Sequence, residues 1–370
     1  MENVKVLHIL TVRYGKNGVT RCAMNYIERF RATRADLALG FPLPEDAARA
    51  FQARGARAVA LPSRLRRPLA YFCALKRLIR QEGYPLVEVH GNSCTMALEL
   101  LAARRAGAVV RAPHAHNTRC SFRLLHRLLR PAFDRNRTAA FACGREAGAW
   151  LYRGAPFTVV PNAIDAAAFA FRQDARARAR AALGLEGGFV LGHVGGFVEQ
   201  KNHVFLLEIF RALRAIRPNA MLLLAGSGPL RGEIERRAEA GGLSEALRFV
   251  AGSDDMPALY AAMDAFVLPS LFEGLPFTLV EAQAAGLRCC ASDAVTREAG
   301  MGGLVRFMPP DAPAAAWAEA ILAGDTAEDR GRLSAEAAAG IEAAGYSIAE
   351  CAAAHEALYR RLLAEARPCG

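Results

Sequence analysis

Leu268-Pro269-Ser270-Leu271-Phe272-Glu273-Gly274-Leu275-Pro276-Phe277-Thr278-Leu279-Val280-Glu281-Ala282-Gln283-Ala284-Ala285-Gly286 is the most informative stretch of the 370-residue chain. The apolar run Ala265–Leu268 predicts a strand that stops at Pro269, and Pro276 suits the first turn of a helix carrying Glu281. Between them Gly274 lets the backbone approach a ligand closely. The amides of Leu275, Phe277 and Thr278 would then make an anion site, strengthened by the helix dipole. A carboxylate such as Glu273 beside it suits vicinal hydroxyls of a sugar or ribose, because it accepts paired hydrogen bonds. On spacing alone the alternative stays open that Glu273 is a solvated loop residue and Glu281 a charge on the helix face.

Outward from this stretch, short apolar runs alternate with segments of helical period. The first half offers strands at Val4–Leu10, Leu37–Gly40, Ala58–Leu61, Leu86–His90, Ala108–Ala112, Ala139–Ala142 and Thr158–Val160. Helical stretches between them include Val19–Phe30, Leu69–Glu82, Cys94–Arg105 and Arg145–Tyr152. The second half offers strands at Val190–Val194, Met221–Ala225, Arg248–Val250, Ala265–Leu268, Arg288–Ala291 and Leu304–Phe307. Strict strand–helix alternation implies parallel sheets covered by helices on both faces. A chain of this length suits two domains of about 150–200 residues. The break falls near Pro161-Asn162-Ala163-Ile164-Asp165, followed by a polar Arg/Ala-rich linker to about Arg180. The domains are therefore expected at 1–164 and 165–345, with a last helix, Ile348–Ala364, whose own residues do not say where it packs.

With 53% hydrophobic and 22% charged residues the chain is globular, neither disordered nor fibrous. No apolar run approaches the roughly 20 residues that span a bilayer. The N-terminus reads as a first buried strand rather than a signal peptide, so the expected location is the cytoplasm. Nine cysteines without a Cys-x-x-Cys pair argue against a disulfide framework or structural zinc, and for buried, inert thiols. The net charge of +11 is uneven: residues 1–164 hold 27 Lys+Arg against 10 Asp+Glu, residues 165–370 hold 20 against 26. A first half so basic implies an anionic partner, whether a membrane surface, a phosphorylated acceptor or nucleic acid.

Three further loops run from strand to glycines to helix. Gly195-Gly196-Phe197-Val198-Glu199-Gln200-Lys201-Asn202-His203 contains one of only four lysines in the chain, placed to hold a phosphate with the backbone. It is neither a P-loop nor the dinucleotide Gly-x-Gly-x-x-Gly, and an exposed Lys at a helix start would look the same. Gly226-Ser227-Gly228 and Gly15-Lys16-Asn17-Gly18 complete the set. Among the histidines, His8 and His90 end strands and read as core or rim residues, while His114 and His116 point to one side of an extended segment.

Taken in order, these motifs resemble glycosyltransferase family 4: Val-Gly-x-Phe-x3-Lys-Asn from Val194, Leu-Ala-Gly-Ser-Gly-Pro-Leu from Leu224, Phe-Val-Ala-Gly from Phe249, then the block quoted above. Arg111-Ala112-Pro113-His114-Ala115-His116-Asn117-Thr118 and Pro161–Asp165 are similar to the family as well. The likeness spans nearly the whole chain and lies nearest to bacterial capsular and exopolysaccharide enzymes. It implies an α/β protein of the GT-B fold, two Rossmann-like doubly wound parallel-sheet domains facing across a cleft, with residues 346–370 packing back on the first domain. It implies a retaining transferase that needs no metal or other cofactor and moves a sugar from a nucleotide-diphosphate donor to a glycan or lipid-linked acceptor, with no nucleic-acid partner.

Carried over by position, Glu281 would hold the donor ribose, Glu273 the donor sugar and Lys201 the diphosphate. Gly195, Gly228, Gly274, Leu275, Pro276 and Phe277 would surround the donor, and Gly18 would let the first loop approach the diphosphate. His116, or else His114, would sit near the reacting carbon or the acceptor. No His/Asp cluster has metal-ligand spacing. One position departs: the family's usual Arg, which shares the diphosphate with the Lys, is Gly196 here. A catalytically silent homologue that binds nucleotide or glycan would explain that departure, though Lys201, Glu273 and Glu281 speak against it. A non-hydrolysing nucleotide-sugar epimerase shares the architecture but needs no acceptor. Finally, Arg119, Arg123, Arg127 and Arg130 fall on one helical face beside Phe122, Leu125 and Leu129, the pattern of a helix lying on an anionic membrane.

Overall fold

The computed structural model describes residues 4–120, 122–251, 255–323 and 329–366. Ser121, within the arginine-rich segment, and the residues after 366 lie outside that set. Contacts divide the chain into two units, Met1–Ala163 with Ile348–Gly370, and Ile164–Ser347. Ile164 pairs with Ser347 in a parallel bridge, so it belongs with the second unit rather than the first.

The first sheet has seven strands: β1 (Val4–Leu10), β2 (Thr33–Leu39), β3 (Ala58–Ala60), β4 (Leu86–Gly91), β5 (Val110–Ala115), β6 (Phe141–Ala142) and β7 (Thr158–Val159). Their spatial order is 3-2-1-4-5-6-7 and every pair is parallel. The second sheet has β8 (Val190–Val194), β9 (Met221–Ala225), β10 (Leu247–Val250), β11 (Ala265–Leu268), β12 (Arg288–Ser292) and β13 (Val305–Met308), in the order 10-9-8-11-12-13, again all parallel. Each sheet is thus doubly wound, with its order reversing between β1 and β4 and between β8 and β11. Outside the carboxyl ends of such strand pairs, open parallel sheets place their ligand crevices.

Helices cover the strands because their apolar stripes bury there. In the second unit Phe210, Leu213, Trp317 and Ile321 join Leu191, Leu222 and Val267 in one core, each buried side chain contributing about 1.5–3 kcal/mol. The helix Ile348–Glu365 packs on the helix Gly18–Arg29 of the first unit. Its Glu356 accepts from the Arg31 and Ala32 amides at 3.1 and 2.8 Å, and the Tyr359 hydroxyl donates to Glu88 on β4.

Three local expectations fail. β5 starts two residues later than the apolar run, because Gly107 ends the preceding helix in a left-handed conformation, and it carries His114 inside the strand. The segment to Arg180 is not a linker but mostly the helix Gln173–Leu183. That helix is held by Arg176 and Arg180 on Asp264, the first at 2.5 Å, and by their bonds to carbonyls at Ala261 to Met263. The thiols are not uniformly buried: Cys73 is exposed, while none of the described cysteines forms a disulfide.

Candidate functional site

β8 and β11 are neighbours, with Leu191 opposite Ala265, so the loops that leave their carboxyl ends emerge side by side. This adjacency brings Lys201 and Glu273 together although 72 residues separate them: Lys201 Nζ stands 2.6 Å from Glu273 Oε1. Gln200, which sequence reasoning missed, fastens the same loops. Its Nε2 donates at 2.9 Å to Glu273 Oε2 and to the Phe272 carbonyl, and its own carbonyl accepts from the Leu271 amide. Glu273 is therefore no solvated loop residue. It is buried, with both oxygens engaged.

Gly274, Leu275, Pro276 and Phe277 are buried beside it and lead into the helix Phe277–Ala284, whose start at Pro276 has no side-chain cap. Glu281, in the second turn, is fully buried and accepts from the Tyr260 hydroxyl at 2.9 Å. Tyr260 is a second residue the sequence did not mark. Its ring packs edge-on against Phe169 and tilted against Phe266, so a well-fixed hydroxyl holds the carboxylate. The reading of Glu281 as a charge on an exposed helix face is excluded.

The glycines of the loop after β9 have a packing reason. A Cβ on Gly226 would lie 2.0 Å from the Gly195 carbonyl oxygen, and one on Gly228 2.5 Å from that of Phe197. Phe197 and Leu230 then exchange backbone bonds with the facing loop, Phe197 N to Ser227 O and Leu230 N to Phe197 O. Gly228 thus seats the β8 loop. Beneath that loop lie two more unforeseen residues. His193 Nδ1 donates at 2.9 Å to the Val267 carbonyl, so the neutral ring carries its proton on that nitrogen, and His203 stacks on Phe197 at 4.4 Å. Burial, with the Lys201 charge adding to it, holds His203 down at about 4, and burial holds His193 well below the ordinary value. Both rings are neutral near neutral pH.

In the first unit Gly18 opens the helix Gly18–Arg29, which Asn17 caps by accepting from the Thr20 amide. Nothing lies within 4 Å of where a Cβ would stand on Gly18. His116 follows β5 and is buried in a group of histidines drawn from three adjacent strands. Its Nε2 is 3.1 Å from His90 Nδ1, and His90 Nε2 is 3.0 Å from His8 Nδ1. His114 Nδ1 meets Glu88 Oε1 at 2.8 Å, and His355 Nε2 lies 3.3 Å from the other oxygen. Burial depresses His8 to about 4 and carries His90 and His116 well below the usual range. Burial alone would raise the Glu88 carboxyl, yet His355, His90 and His114 hold it well below its ordinary value. His8 and His90 are therefore core residues of a connected polar network. Among the described residues two buried groups could hold an ion, His8 with Glu88 and His90, and Cys22 with His114 and His116. Sequence spacing hid both, because their members come from separate elements.

The arginine stripe does not form. Arg123–Leu128 and Arg130–Asn136 are two separate short helices, Arg119 precedes both, and Arg130 turns inward to the Leu151 carbonyl and, at 2.9 Å, to His126 Nε2. His126 is the buried residue of the turn. Phe122, Leu124, Leu125 and Leu128 are instead exposed, at 61, 72, 45 and 67%, alongside exposed Arg123 and Arg127. No helix among the described residues is long and apolar enough to cross a membrane.

Residues 188–324, which carry the Lys201 and Glu273 loops, match the family model described as "Glycosyl transferases group 1". The putative glycosyltransferase EpsF of Bacillus subtilis is 38% identical over 268 residues, covering 69% of this chain and 70% of its own length. The UDP-Gal:alpha-D-GlcNAc-diphosphoundecaprenol alpha-1,3-galactosyltransferase of Escherichia coli is 28% identical over 236 residues, covering 60% of each chain. Among solved structures, Anabaena Alr3699/HepE in complex with UDP-glucose superposes with a TM-score of 0.80 at 18% identity, covering 96% of this chain and 99% of its own.

Proposed function

Because the chain belongs to the group 1 glycosyltransferases, we propose that it moves a sugar, with retention of configuration, from a nucleoside-diphosphate donor to a glycan acceptor carried on a lipid. The observation that carries this reading is the meeting of Lys201 and Glu273 at the carboxyl ends of β8 and β11. A cation and a carboxylate fixed on adjoining loops match the two ends of such a donor. Lys201 and the amides at the start of the helix Phe277–Ala284 take the diphosphate charge. Glu273 takes the sugar hydroxyls and Glu281 the ribose. The relatives point the same way: one is named for UDP-Gal and a diphosphoundecaprenol-linked acceptor, and the solved neighbour holds UDP-glucose.

The bond from the anomeric carbon to the diphosphate oxygen breaks as the acceptor oxygen bonds to that carbon from the same face. The departing diphosphate takes the acceptor's proton. Fixed charges and amides stabilise the leaving group, and no metal is assigned a part in the step. His116, held neutral by burial, is proposed to stand near the reacting carbon or the acceptor. The exposed apolar turn Arg123–Leu128, with Arg123 and Arg127 in a half-chain rich in arginine, is proposed to rest on an anionic lipid surface at the cytoplasmic face.

A thermal-shift screen against UDP, GDP, ADP and dTDP tests the donor site. A ligand at about 100 times its dissociation constant adds about 2.7 kcal/mol of stability. If no nucleotide shifts the melting transition, the donor site is wrongly placed. Turnover of a donor without acceptor would favour the epimerase reading instead.

A further inference from the structure

We propose that Cys22, His114 and His116 form a zinc site within the first domain, apart from the donor loops. Cys22 projects from the helix Gly18–Arg29, and the two histidines lie on and just after β5. One ligand atom from each lies within 4.8 Å of the other two, and all three residues are buried, at 0, 1 and 9% exposure. Two ring nitrogens in this group, His114 Nε2 and His116 Nδ1, are buried without a hydrogen-bond partner. Buried polar atoms left so are costly, and a metal ion satisfies both.

The outer nitrogens are already committed. His114 Nδ1 bonds to the Glu88 carboxylate, the arrangement that orients a zinc-bound imidazole and raises its basicity. His116 Nε2 bonds to His90, leaving Nδ1 as its ligand atom. One thiolate and two imidazoles, with no oxygen donor, select zinc over magnesium or calcium. The other group, His8 with Glu88 and His90, has spent its facing nitrogens on each other and supports the site from behind. Three protein ligands leave a fourth position for water, and the ion would tie the helix Gly18–Arg29 to β5.

Zinc content of protein produced in zinc-supplemented medium and passed through a desalting column is the first measurement. Wild type should carry stoichiometric zinc. Cys22→Ser and His114→Ala should lose it while keeping their far-ultraviolet circular dichroism, and Cys73→Ser, which changes an exposed thiol, should retain it. A second measurement needs no variant: wild type unfolded in chelator and refolded with cobalt(II) should show thiolate-to-cobalt charge-transfer absorption and tetrahedral visible bands. Wild type without zinc and without that cobalt spectrum overturns the proposal, as does full zinc retention in both ligand variants. Nucleotide binding is read separately, since none of these residues lies on the donor loops.

Discussion

Gly196→Arg places a cation where the family resemblance implies one, and the structure says what it should do. Gly196 does not adopt a left-handed conformation, and a Cβ there would meet only the Ser227 carbonyl oxygen, at 3.4 Å. The backbone therefore accepts a side chain without strain, unlike Gly226 or Gly228 across the same contact. A guanidinium bonded to a diphosphate is a charge-assisted contact of about 1.5–3 kcal/mol, or about ten- to hundred-fold in affinity. The nucleoside monophosphate should gain less, and the difference should shrink as salt screens the added charge. Calorimetric titration of both nucleotides against wild type and variant, with melting curves to confirm folding, reads the effect. A folded variant with unchanged diphosphate affinity refutes the placement of this loop on the diphosphate. A silent Lys201→Ala would complete that refutation.

Glu281→Gln should weaken nucleotide binding by about 1.5–3 kcal/mol, since it removes the charge from the carboxylate that Tyr260 holds in place and that is proposed to take the ribose; calorimetry reporting no loss would reassign the residue. Glu273→Gln should lower turnover more than nucleotide affinity, and steady-state rates beside calorimetry separate the two. His203 titrates near 4 when folded against 6.5 ordinarily, so the unfolded chain takes the proton first as pH falls. Stability present above 6.5 is then lost on the way down to 4, by up to about 3 kcal/mol, and His203→Phe should flatten that slope in urea melts compared near pH 7 and pH 5. Wild type should cosediment with anionic but not neutral vesicles at low salt, and Arg123→Glu/Arg127→Glu should cost about 2 kcal/mol of that binding. Indifference of wild type to anionic lipid would leave a soluble acceptor.

The sheets were legible because their strands are short apolar runs closed by Gly, Pro or polar turns. β1, β8, β9 and β11 begin and end where the runs do. The Lys201 and Glu273 loops were legible as motifs, but their contact was not, since it follows from β8 lying next to β11. Gln200 and Tyr260 carried no signal of their own: a polar loop residue and an apolar-helix tyrosine acquire roles only through partners far along the chain. The same holds for the buried histidines, which three parallel strands align in register, with His90 opposite both Leu10 and His114. Arg130 misled because helical spacing predicts a face, whereas a carbonyl at Leu151 and the His126 ring outcompete solvent for its guanidinium.

The helix Ile348–Glu365 sets the order in which the chain can finish folding. It is synthesised after all of Ile164–Ser347, yet it supplies the Tyr359 hydroxyl and His355 ring that surround Glu88 in the earlier unit. Until it arrives, a carboxylate destined for full burial has lost two of its partners, and an unpaired buried ion costs several kcal/mol. Domains usually complete in the order they leave the ribosome. Here the first unit cannot complete the partners of Glu88 until the whole second unit has been made. Cutting the chain before Ile348 should therefore destabilise the first unit while leaving the second its own core.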